Sequence, residues 1–248
     1  MPLSVTIITR NAASQLGDCL ASVAFAEEIV VVDSGSTDGT IELATRRGAR
    51  VIPKEWLGFG AQKQFAVESA RHDWVLCLDA DEALSPELRE ASLAELKAPR
   101  GFVYAMARRN RFLGRWLRHG EGYPDWSVRL FHRKHARWGN EMVHEKVDAR
   151  QPVLRLRGDL LHDSAESLEK YLDKQNRYTS LQAESLRAAG RRASLARLVL
   201  SPLLRFIKFY VLRLGFLDGV PGLVHVSIGC MNSFNKYAKL KALERGSK

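Results

Sequence analysis

Ile29-Val30-Val31-Val32-Asp33-Ser34-Gly35-Ser36-Thr37-Asp38-Gly39-Thr40 decides the fold. Four β-branched apolar residues in a row read as a strand covered on both faces, the kind that parallel sheets contain. The Asp/Ser/Gly run after it is turn chemistry, and a helix through Ala44 closes the unit. Upstream, Leu3 to Thr9 is a second β-branched run, and Asn11 to Val23 carries apolar residues at helical spacing (Ala12, Leu16, Leu20, Val23). Downstream, Ala49 to Ile52 and Trp74 to Leu78 read as strands three and four, with a helical stretch from Ala61 to Ala70 between them. Such alternation predicts a parallel sheet and an α/β class.

Pro86 to Lys97 continues as a helix and Gly101 to Ala107 as a strand; Arg108 to Val147 reads as irregular and rich in Arg, Trp, Gly and His. From Ser164 the pattern turns helical, through Ser164 to Ala189 and then Arg191 to Leu217, which Pro202 interrupts. The expected division is a catalytic domain over residues 1–160 and a helical, basic appendage over 161–248.

Ligands of open α/β sheets bind beyond the carboxyl ends of the strands. Thr9, Asn11, Asp33 and Asp79-Ala80-Asp81-Glu82 occupy such ends. Two carboxylates where an apolar strand meets solvent can hold Mg²⁺ or Mn²⁺ against a diphosphate, and can equally be a solvated acidic loop. In Trp126 to Arg133 the side chains alternate, so Arg129 can reach a diphosphate or pair a core carboxylate.

The formal charge is +10, divided unevenly: residues 1–99 hold 9 Lys and Arg against 15 Asp and Glu, and residues 100–248 hold 29 against 13. The second part therefore calls for an anionic partner, which nucleic acid, anionic lipid or a phosphorylated saccharide would satisfy. Cys19, Cys77 and Cys230, odd in number and widely spaced, read as core thiols of a reducing compartment. No leader pattern and no spanning stretch is evident, which places the chain in the cytoplasm. On a helical wheel Ser194, Arg197, Ser201, Arg205 and Lys208 share one narrow face of Arg191 to Leu217, with apolar residues around much of the rest. That pattern predicts an interfacial helix on the cytoplasmic face of an anionic membrane, with a helix packed on the first domain or against a second subunit as the alternative.

Val5 to Asn11, "VVVDSGSTDGT" (30–40) and "LDADE" (78–82) occur in the order and spacing of family 2 glycosyltransferases, which the chain resembles over residues 3 to about 147. The resemblance implies the GT-A nucleotide-diphospho-sugar transferase fold with a C-terminal helical appendage. It implies that Thr9 and Asn11 line the nucleotide pocket and Asp33 binds the base or ribose. Asp81 would ligate the metal, while Asp79 would contact the ribose or the metal through water; Lys63 sits where relatives often carry a polar or basic residue near the nucleotide, and reads equally as an exposed helix lysine. Inverting transfer needs a carboxylate base; the candidates are Glu145, the first choice, and Asp125, with a structural ion pair as the alternative for either. His144 could serve the metal or the leaving phosphate.

"YPDWSVRLFHR" (123–133), "VHEKV" (143–147) and "GFLDGVPGLVHV" (215–226) narrow the resemblance to lipopolysaccharide inner-core glucosyltransferases that add β-1,4-linked glucose from UDP-glucose to heptose. The implied partners are a nucleotide-sugar donor, a glycolipid acceptor and an anionic membrane surface. Without a QxxRW motif, single-sugar transfer fits better than polymer synthesis. A capsule or exopolysaccharide transferase is the neighbouring reading. A noncatalytic nucleic-acid-binding protein is the rival from another class, and no recognition motif supports it.

Overall fold

A computed structural model describes residues 1–139, 146–164 and 167–245. The fold divides into two compact units: residues 1–108 with 125–164, and residues 109–124 with 165–248. The segment 109–124 thus groups with the C-terminal helices, a division that a single cut at residue 160 does not make.

The first unit is built on β1 (Leu3–Thr9), β2 (Glu28–Asp33), β3 (Arg50–Pro53) and β4 (Trp74–Asp79), with α1 (Ala13–Ser22), α2 (Thr40–Arg46) and α3 (Phe59–Glu68) in the connections. β5 (Glu82–Leu84), α4 (Pro86–Lys97), β6 (Val103–Phe112), β8 (Asp125–His132) and β11 (Val153–His162) complete it. The strand order is β3-β2-β1-β4-β8-β6-β11-β5. The first four strands run parallel, and β8 pairs antiparallel with both β4 and β6. All seven residues of β1 are buried, as a strand covered on both faces requires.

Strand register decides which polar residues meet. Thr9 lies opposite Asp33 and Ile8 opposite Asp79, so the carboxyl ends of three parallel strands share one edge. Arg108 opposite Asp125, and His162 opposite Glu82, bring the antiparallel strands to that edge as well. The region expected to be irregular therefore contains β8, and the unforeseen β11 lies between β6 and β5 in the strand order. β9 (Ala136–Trp138) and β10 (Val147–Ala149) form a separate antiparallel ribbon.

α4 starts where the sequence orders it to start: Ser85 Oγ accepts from Leu88 N at 3.2 Å and Pro86 occupies the first turn. β11 runs against that start. The Ser85 hydroxyl also accepts from Asp159 N at 3.0 Å, and Ser85 N donates to Asp159 O at 3.0 Å.

The second unit contains β7 (Arg115–Trp116), paired with the far end of β6, and α5 (Leu168–Ala188), α6 (Leu195–Phe206) and α7 (Gly219–Arg245). A π-helical turn (Ile207–Leu212) and a 3-10 turn (Gly215–Asp218) join α6 to α7. Ser167 and Ser194 cap α5 and α6 through Lys170 N and Arg197 N. Buried Asp218 accepts from Arg118 N at 2.9 Å and His119 N at 2.8 Å, tying the 109–124 segment to the helices. Among the described residues no helix is long and apolar enough to cross a membrane.

One expectation about α6 is corrected. Arg205 does not stand outward with Arg197 and Lys208: it turns into the unit, where its Nε donates to Glu121 Oε2 at 3.0 Å and its Nη1 to Ser233 Oγ at 3.2 Å. Arg197 and Lys208 stay exposed, and apolar side chains of the same stretch are exposed with them, Leu195 by 76%, Leu204 by 62% and Leu212 by 72%.

Gly158 has φ +88°, and a Cβ there would meet Leu88 N at 2.3 Å. Gly158→Ala is expected to cost about 3 kcal/mol, adding a backbone clash to the positive-φ penalty. Gly35→Ala, at φ +85° in open space, should cost only about 1 kcal/mol. Equal urea midpoints for the two variants would contradict this packing of β11 on α4.

Candidate functional site

The shared strand edge of the first unit collects two groups of polar residues. The first is a loop that organises itself. Asp33 Oδ1 accepts from Gly35 N at 3.0 Å and Ser36 N at 2.8 Å; Oδ2 accepts from Thr9 Oγ1 at 3.0 Å and from the Ser36 hydroxyl. Asn11, at φ +51°, accepts from Thr37 N at 2.8 Å and donates its own N–H to Ser36 Oγ at 2.8 Å. Thr9, Asn11 and Asp33 are thus brought together as expected, and Asp33 is buried with both oxygens engaged by its own turn.

The second group is an ion network around Asp79-Ala80-Asp81-Glu82. Glu82 is 0% exposed. A carboxylate removed from water needs a partner with matching geometry, and Arg129 supplies it: Nη2 to Oε1 at 2.7 Å and Nε to Oε2 at 3.0 Å. Arg129 Nη2 also donates to Asp79 Oδ2 at 3.1 Å. Lys63, buried on α3, reaches the same carboxylate at 3.0 Å. The Trp138 ring lies 4.8 Å from Lys63 Nζ and 5.6 Å from the Arg129 guanidinium, a π face against two cations.

Burial acts to raise the Asp79 carboxyl, but Lys63 and Arg129 outweigh it and hold the group well below the usual carboxylate range. Burial likewise acts to lower Arg129, and Glu82 and Asp79 raise it beyond its ordinary value. Of the two expectations for Arg129, the structure therefore records pairing with carboxylates. Arg108 extends the network, with Nη1 3.7 Å from Glu82 and Nη2 and Nε donating to Asp125 Oδ2 at 2.7 and 2.9 Å. Asp125 is 42% exposed on its side chain.

Asp81 has its Oδ2 3.2 Å from His162 Nε2, and the two side chains are 26% and 22% exposed. His162 was missed in the sequence because the strand that carries it was missed. The alternation Leu154-Arg155-Leu156-Arg157 was the available signal. A carboxylate oxygen and an imidazole nitrogen are a sound pair of ligands for a divalent ion that keeps water and substrate oxygens in its other positions. Among the described residues no group of three or more His, Cys, Asp or Glu is placed to enclose a metal. His144 and Glu145 lie outside the described residues. Past Asp33, whose carbonyl accepts from Lys54 N at 2.8 Å, the exposed Trp56 and Phe59 meet edge to face at 4.8 Å.

Residues 4–155 match the family Glycosyl transferase family 2. An uncharacterised glycosyltransferase of Rickettsia prowazekii is 31% identical, over 97% of this chain and 87% of its own length. The lipopolysaccharide core biosynthesis glycosyltransferase LpsC of Rhizobium meliloti is 32% identical, over 97% of this chain and 92% of its own length. Among solved structures, S. aureus TarS 1-349 in complex with UDP-GlcNAc is similar over 99% of this chain and 92% of that chain, at 15% identity and a TM-score of 0.49.

The network gives a stability test. Arg129→Met takes from fully buried Glu82 its two-bond partner, leaving only Arg108 at 3.7 Å and the Asp79 N–H at 3.1 Å, and should destabilise the chain by about 3 kcal/mol. Adding Glu82→Leu should recover much of that loss. Additive losses in a double-mutant cycle read by urea unfolding would contradict the pairing.

Proposed function

The chain belongs to glycosyltransferase family 2, and we propose that it transfers a single sugar, glucose from UDP-glucose, with inversion onto a lipopolysaccharide-core or related glycolipid acceptor. The observation that carries the reading is the strand edge where Asp81 and His162 stand beside an Asp79 fixed by Lys63 and Arg129. The acceptor class rests on the end-to-end likeness to LpsC, a lipopolysaccharide core biosynthesis enzyme.

In this reading Asp81 and His162 hold Mg²⁺ or Mn²⁺, which when bound neutralises charge on the leaving nucleoside diphosphate. Asp79 meets the ribose or a metal-bound water, its carboxylate kept ionised and in one rotamer by Lys63 and Arg129. Thr9 and Asn11 line the nucleotide pocket, and Asp33 meets the base or ribose while holding the Gly35–Ser36 turn in shape. Arg129 and Lys63 act on the donor through Asp79. Glu145 takes the proton of the acceptor hydroxyl, with Asp125, oriented by Arg108, as the second candidate. Residues 1–160 provide this chemistry, and residues 161–248 hold the protein to the cytoplasmic face of an anionic membrane. The apolar face of α6 would enter the lipid boundary with Arg197 and Lys208 at the headgroups. Nucleic acid plays no part.

Asp81→Ala should abolish release of UDP from UDP-glucose with little loss of fold, and chelator should do the same to wild type. Full turnover in either case would remove the metal assignment. Glu145→Gln should keep donor binding and lower turnover by roughly 10²-fold or more. Should Asp125→Asn alone destroy turnover, the two roles exchange.

Membrane docking is read by liposome flotation. Two cations near an anionic leaflet are worth about 2 kcal/mol, so an Arg197→Glu, Lys208→Glu variant should float poorly with anionic vesicles that recover wild type. Equal recovery of both, or of neither, would leave the apolar face to a protein partner.

A further inference from the structure

The helical unit contains a second polar site. A cavity of about 130 Å³ lies among α5, α6 and α7, and every residue lining it belongs to this unit. One water needs only about 10–15 Å³ of such space, so the cavity has room for a polyatomic guest.

Its lining is unbalanced in charge. Arg205 enters from α6 and spends three of its five N–H groups on Glu121 and Ser233. Lys236 stands three residues beyond Ser233 on α7. Among the described residues its ammonium pairs with no carboxylate, and it rests 4.9 Å from the Tyr237 ring. Two cations thus face one carboxylate, Glu121. His225 adds no compensating charge: burial, then Arg205, push it down to about 4. Burial and Arg205 also lower the Lys236 ammonium, the mark of a cation held near another without a counter-ion. From α5, the Tyr178 hydroxyl and Gln182 amide line the same space, and among the described residues neither hydrogen-bonds to the protein.

Guanidinium, ammonium, phenol and amide with one positive charge in excess are the chemistry of an oxyanion site. We infer that this cavity binds phosphate or a phosphomonoester group, held by Arg205 and Lys236 with hydrogen bonds from Tyr178 and Gln182. The ligand offsets the excess charge and takes up the donors that the protein leaves unused. The site does not depend on sugar transfer at Asp81.

Calorimetric titration of the full chain with inorganic phosphate, against matched chloride, tests it. Saturable binding is expected, weakened about tenfold or more by Lys236→Met and unchanged in Asp81→Ala. If Lys236→Met fails to fold by circular dichroism, Tyr178→Phe and Gln182→Leu carry the comparison, each expected to weaken binding several-fold. Absence of saturable binding in wild type, equal binding by the folded cavity variants, or loss of binding in Asp81→Ala would overturn the inference. Glycerol 3-phosphate separates the sources: competition with phosphate assigns an esterified group, and its exclusion assigns the free ion. Because nucleotide release is not measured, failure here and failure of the transferase reading remain distinct.

Discussion

The arrangement of the strand edge depends on the burial of one charge. Glu82 lies directly after the two aspartates and is cut off from water. An ion in that position is destabilising by several kcal/mol unless paired with good geometry. Arg129 answers with a two-bond contact, and the same guanidinium also reaches Asp79. The compensation of a core charge is thereby what orients the first aspartate of the motif. Lys63, Arg108 and Arg129 balance Asp79, Glu82 and Asp125, and Asp81, beside His162, adds a further negative charge. Arg129, 6% exposed, is held within this network by Glu82 and Asp79.

Strands β1 to β4 were legible because short β-branched and apolar runs alternate there with helical stretches and turn residues, as a parallel sheet requires. The edge residues Thr9, Asn11, Asp33, Asp79 and Asp81 followed from the strand ends. What could not be read was pairing between distant segments. Arg129 was visible as a strand residue, yet its partners depend on β8 lying antiparallel beside β4, which no local pattern states. β11 was hidden because its alternating Leu and Arg resemble a solvated surface and Gly158-Asp159 interrupts the pattern. With β11 went His162, a neighbour of Asp81 that lies 81 positions away in the sequence. Asp33 shows a milder form of the same limit: its type and place were readable, but not that its own turn engages both oxygens.

The helical unit departs from the sequence pattern for a related reason. A helical wheel groups Arg205 with Arg197 and Lys208, but it does not say which side of the helix meets a neighbour. Here α6 turns Arg205 toward α7 and Glu121, and the side with Leu195, Val199, Leu203 and Leu204 faces out. Burying a leucine is worth roughly 1.5–3 kcal/mol, so this choice forgoes several kcal/mol within the isolated unit. An apolar surface of that kind marks a docking face when it persists in a folded chain. The same rotation of α6 that exposes the leucines also encloses Arg205 beside Lys236, so one packing decision produces both the apolar exterior and the cationic cavity. The two features therefore belong to a single arrangement of α6: apolar side chains exposed on one side, and Arg205 turned toward Glu121 and Ser233 on the other.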